Sequence, residues 1–93
     1  MNDIRAMFTL APMPYEFRGA QLSLRRPSAL DIIEAVEFSK THQDRLYAWF
    51  AFRHLEHAGK PVFESLEDAL AADGATIIEI GKQVETLYGE GRD

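Results

Sequence analysis

The 93-residue chain contains no cysteine. Disulfides and cysteine-ligated zinc are therefore excluded, and a reducing compartment suits the sequence. No apolar run approaches the ~20 residues that a membrane-spanning helix needs. The opening stretch MNDIRAMFTLAPMP sets Asp3 near Arg5 and holds no continuous apolar segment, so it does not read as a signal peptide. A cytoplasmic location away from membranes is expected. Positive charge is also scarce. Ten Lys and Arg stand against fifteen Asp and Glu, a formal net charge of −5. A general nucleic-acid binder needs clustered positive charge to displace counterions, so no nucleic-acid partner is expected.

The motifs of catalysis are missing as well. There is no Gly-x-Ser-x-Gly element, no phosphate-binding loop and no dinucleotide fingerprint. His54 and His57 are spaced i, i+3, but the HExxH order is absent and no third ligand is apparent. They read as polar histidines at a helix end, where a cation suits the dipole. Glu67 and Asp68 fall in a first helical turn, where the dipole alone explains them. No catalytic, cofactor-binding or metal-ligating residues are named, and the expectation is a protein that is not an enzyme and carries no cofactor.

What is present is a small amount of β structure followed by helix. The expected class is mainly α with a small β part: an N-terminal β-hairpin packed on a bundle of about four helices. One domain is expected over residues 15–90, between an arm at 1–14 and a tail at 91–93. The arm holds a short strand candidate, Met7 to Leu10, and then Ala-Pro-Met-Pro, where two prolines disfavour a helix. It is expected to be mobile or an edge strand. In YEFRGAQLSLRR, residues 15–26, the apolar Tyr15, Phe17, Leu22 and Leu24 alternate at period two. A type II′ turn at Gly19-Ala20 would pair Phe17 with Leu22 and Tyr15 with Leu24, and put all four on one face.

From Pro27 onward four hydroxyl-to-carboxylate spacings mark helix starts: Ser28 with Asp31, Thr41 with Asp44, Ser65 with Asp68 and Thr76 with Glu79. They predict helices near 28–40, 42–58, 65–72 and 76–88. The first carries Ile32, Ile33 and Val36 on one stripe with Ala29 beside them. The last carries Ile77, Ile80, Val84, Leu87 and Tyr88. Each stripe is expected to face one partner surface. Gly81, near the last stripe, costs helix stability and suggests a close crossing.

The second helix is the unusual one. In RLYAWFAFRHLEH, residues 45–57, four of the chain's ten aromatics fall within six residues. At about 100° per residue they lie almost all round the helix. Such a helix is either the hub of the core or buried partly against another protein. Tyr47, Trp49, Phe50 and Phe52 are therefore candidate partner-binding residues, with Arg25 and Arg26 as a polar contact. Residues 1–27 carry four basic and two acidic side chains, and residues 28–93 carry six basic and thirteen acidic. A basic head on an acidic body suggests that copies attract one another head to tail, so a homo-oligomer is expected.

The order of parts is also informative. FRGAQLSLRRPSALDIIEAVEF is a turn, a strand ending in Leu-Arg-Arg-Pro and a helix opening Ser-x-x-Asp. An aromatic helix follows, then GKPVFESLEDALA, then an Ile/Leu-rich helix ending LYGEG. Across residues 15–90 this resembles the small tail assembly chaperones of long, non-contractile-tailed phages and prophages. The resemblance implies a non-enzymatic role in the cytoplasm of a bacterial host. Such chaperones coat the largely helical tape-measure protein and help recruit tail tube subunits. A longer, frameshifted form commonly carries a tube-binding extension, and this chain would match the short form. The competing expectation is a small regulatory adaptor or antitoxin-like protein that masks a partner's surface.

Overall fold

The computed structural model describes residue 4 and residues 10–89 of the chain. In order, the elements are strands β1 (Met13–Phe17) and β2 (Ala20–Leu24), helix α1 (Ala29–His42), a 3-10 turn (Gln43–Arg45), helix α2 (Leu46–His54), strands β3 (Leu55–His57) and β4 (Lys60–Pro61), and helices α3 (Leu66–Leu70) and α4 (Gly74–Gly89). The mainly α class with a small β part is correct. The strands form one antiparallel sheet in the order β1-β2-β3-β4. Most of the expected Met7–Leu10 strand and all of the tail at 91–93 lie outside the described residues. Met13 and Pro14, assigned to the arm, belong to β1.

The hairpin register differs from the expected one. Phe17 pairs with Ala20, Tyr15 with Leu22 and Met13 with Leu24. The turn residues are Arg18 at φ 50° and Gly19 at φ 87°, a type I′ geometry with glycine second rather than first. The shift moves each partner by two residues, so side-chain parity survives and the apolar residues still share a face. The chain repeats the device downstream. Ala58 at φ 54° and Gly59 at φ 80° turn β3 into β4.

That second hairpin shortens the aromatic helix. Capping and periodicity predict it over 42–58, but it spans Leu46–His54. Ser23 and Leu24 of β2 draw Glu56 and Leu55 into the sheet, so tertiary pairing overrides helix periodicity. At the other end α1 continues to His42, and Thr41 bonds the His42 ring at 2.8 Å instead of capping a new helix. Two of the other three caps also need correction. Ser28 and Asp31 form the full reciprocal box. Ser65 accepts from the Asp68 amide, but the Asp68 carboxylate accepts from Glu64 N, one residue upstream. At α4 the cap is Asp73, not Thr76: its carboxylate takes the Thr76 amide at 3.0 Å and the Thr76 hydroxyl at 2.9 Å.

The core centres on α2, which lies against α4. Ala48, Trp49, Phe50 and Ala51 meet Ile77, Ile80, Val84 and Leu87, and Leu24 and Leu55 close the sheet side. Gly81 allows the crossing. A Cβ placed there would sit 2.5 Å from the Tyr47 Cβ, so the helix backbones approach only because that atom is missing.

Helix α1 sits inside out. Asp31 and Ala35 are buried, while Leu30, Ile32, Ile33 and Val36 are 46–60% exposed. The aliphatic stripe expected to face the core faces solvent.

Candidate protein-interaction surface

The six residues proposed from sequence separate into different environments. Trp49 and Phe50 are buried, at 6% and 3% exposure. Trp49 stacks on Phe38 at 5.6 Å and lies under the Arg53 guanidinium at 5.0 Å, and Phe50 packs on Tyr88 at 4.7 Å. Tyr47 is half-buried over Gly81, with its hydroxyl donating to Glu85 at 3.2 Å. Phe52 is half-buried on another side, where it lines a surface hollow with Pro61 and Phe63. The aromatic stretch is the hub of the fold. Trp49 and Phe50 therefore belong to the core, and Tyr47 and Phe52 are partly exposed on different sides of the helix.

Arg25 and Arg26 diverge although adjacent. Arg26 Nε donates to Ala11 O at 3.0 Å. Arg25 turns inward to a polar knot. Its guanidinium binds the Asp31 carboxylate at 2.7 and 3.3 Å, and Arg53 adds a bond at 3.1 Å. The Ser28 amide supplies another at 2.8 Å. Burial alone would raise the Asp31 pKa, but the Arg25 bond, the Ser28 amide and the nearby positive charge hold it well below the usual carboxylate range. The Asp31 bond in turn raises Arg25. Arg25 also donates to Arg53 O at 3.2 and 2.9 Å, satisfying a carbonyl at the end of α2 that the helix leaves open.

His54 completes the knot and is fully buried. Its Nδ1 lies 2.6 Å from Arg25 O, and a carbonyl can only accept, so Nδ1 carries the proton. Nε2 then accepts from the Tyr88 hydroxyl at 2.5 Å. Burial, reinforced by the Arg25 and Arg53 charges, pushes the ring down to about 4 against the opposing pull of Arg25 O and Asp31. Burial and the Asp31 charge raise Tyr88 above its ordinary value. Both ring nitrogens are committed to the fold, which leaves neither for a substrate. His54 does end α2, but its ring is buried and neutral rather than a cation set against the dipole; His57 lies exposed in β3 instead of in the helix. Sequence spacing gives no sign of this knot, because its members come from positions 25, 31, 53, 54 and 88. Only the Ser28–Asp31 cap is visible there.

The knot explains why α1 is inverted. At 100° per residue, Asp31, Ala35 and Phe38 point one way, and Ala29, Ile33 and Val36 point the other. An ionised Asp31 with two guanidinium partners and Phe38 on Trp49 fix the inner side. The aliphatic side is left outward. Beside it runs a groove of about 410 Å³ between α1 and α4, lined by the apolar Ile32, Ala35, Val36, Leu46 and Phe50 and by Tyr88, together with Ser39, Glu85 and Gly89. A run of exposed aliphatic residues continuous with an apolar groove has the character of a protein-binding surface.

No protein-family model, no curated protein and no solved structure matches this chain. Among the described residues, no helix is long and apolar enough to cross a membrane.

Proposed function

We propose that this protein is a non-enzymatic binding protein of the tail assembly chaperone type, which holds a helical tape-measure protein and helps recruit tail tube subunits. The observation that carries the reading is the inversion of α1. A chaperone must fold before its client arrives, so its own core and its client surface must be separate. Here the aromatic hub on α2 stabilises the subunit, and Leu30, Ile32, Ile33 and Val36 remain outside it. The 14 residues of α1 span about 21 Å, or about four turns of a client helix laid alongside. The exposed i, i+4 pair Ile32 and Val36 offers a ridge on which such a helix can pack. The resemblance in the order of parts supports the same reading. A long client also calls for many copies, so self-association belongs to the proposal.

The test is co-expression with the protein encoded directly downstream, which is expected to be the tape-measure protein. The wild-type chain should hold it in a soluble complex. Ile32→Arg and Val36→Arg should abolish that complex while leaving circular dichroism and melting unchanged. A complex that survives both substitutions, or one that never forms, would remove the proposal.

A further inference from the structure

The groove between α1 and α4 carries a sign of charge as well as a shape. Among the described residues that line it, one side chain is ionised, Glu85, which is exposed and takes a hydrogen bond from Tyr47 at 3.2 Å. Gly89, the last residue of α4, also lines it, which brings the negative end of a 16-residue helix dipole to the same place. No lysine or arginine is among the described residues that line it. On the outer side of α1, Glu37 and Lys40 pair at 3.2 Å and largely cancel. A third helix between α1 and α4 would complete a layer over α2, with the small Ala35 leaving room for its ridge. An aliphatic stripe would meet Ile32, Val36 and Leu46, and the residues beside that stripe would meet negative potential.

Resting on the reading of α1 as a client-binding face, we infer that the occupant of this groove is a cationic amphipathic helix, with aliphatic residues at i, i+4 spacing bordered by Lys or Arg. A second copy of the chain fits less well. The exposed face of its α4 presents Glu79 and Glu85 against the single Lys82, so it would bring like charge to this groove, and self-association is left to other surfaces.

The experiment uses three peptides of about 18 residues, long enough to form helix on binding. They share one Leu/Ile stripe and differ only in flanks of Lys, Gln or Glu. Titration calorimetry on the intact protein should rank them Lys, Gln, Glu from tightest to weakest. Steps of about two- to fivefold at low salt should shrink as salt rises. Glu85→Lys should reverse the ranking, and Val36→Arg should abolish binding of all three. Equal affinity for the Lys and Glu peptides, an order that survives Glu85→Lys, or no binding of any peptide would each overturn the inference. So would a dimer of the chain alone that Val36→Arg dissociates, because the occupant would then be a second copy. If the co-expressed client is still held through Ile32 and Val36 without any charge preference, this inference fails and the proposed function stands.

Discussion

Helices α1 and α2 reverse each other's appearance. In sequence, α2 reads as either a core hub or a docking helix because Tyr47, Trp49, Phe50 and Phe52 surround it, whereas α1 looks like an ordinary amphipathic helix with one side to bury. In the fold, α2 is the hub, with Trp49 and Phe50 at 6% and 3% exposure, and α1 turns its aliphatic stripe to solvent. The difference shows that apolar content does not decide which face a helix buries. An ionised group with its partners already in place can outweigh it. Breaking the Asp31 contacts would strand a buried charge at about 3–5 kcal/mol, enough to offset leaving a few aliphatic side chains half wet.

The comparison can be broken at several points. The largest expected effects are at the hub and the knot. Trp49→Ala should destabilise by about 3–5 kcal/mol, close to unfolding a domain of this size, in urea denaturation. Asp31→Asn should cost about 2–4 kcal/mol, because Arg25 loses its counter-charge while Arg53 keeps only Glu34, at 2.6 Å. Were Asp31→Asn neutral, the explanation of the inversion would fall.

Acid should produce the next effect. The His54 pKa drops from 6.5 to about 4 on folding, so between these values the unfolded chain binds the proton first. The corresponding stability is complete above pH 6.5 and is lost progressively as pH falls to 4, in total about 3 kcal/mol. Asp31, also depressed, extends the loss below its ordinary 3.8. Chemical denaturation across this range should show a slope that His54→Gln flattens.

Gly81→Ala is expected to cost about 1–3 kcal/mol from the clash with Tyr47, despite the better helix propensity of alanine. The smallest effect belongs to α1: Ile33→Ser should change stability by no more than about 0.5 kcal/mol. If Ile33→Ser destabilised as much as Trp49→Ala, the two helices would not differ as described.

Several features of the fold are legible in the sequence itself. The apolar alternation of Tyr15, Phe17, Leu22 and Leu24, the Ser28–Asp31 cap, the Ile77–Leu87 stripe and the close crossing at Gly81 are local patterns, and local patterns survive folding. The hairpin register is not legible, because glycine suits either turn position and the choice rests on Arg18 also accepting a positive φ. Strand β3 is hidden for a related reason. Leu55–His57 continues a helical period, and only β2 alongside makes it a strand. Of the proposed partner-binding residues, Trp49 and Phe50 lie in the core, and four exposed aliphatic residues, Leu30, Ile32, Ile33 and Val36, are on α1, where the pattern points inward.

Composition and periodicity alone determined the class of the fold, the positions of most helices and the all-round apolar character of the aromatic segment, since these follow from short-range geometry. Tertiary structure alone decided which way α1 faces. That choice depends on Arg25, Asp31, Arg53 and His54 meeting across 29 positions of chain, and a buried charge finds its partners in space rather than at any spacing along the sequence.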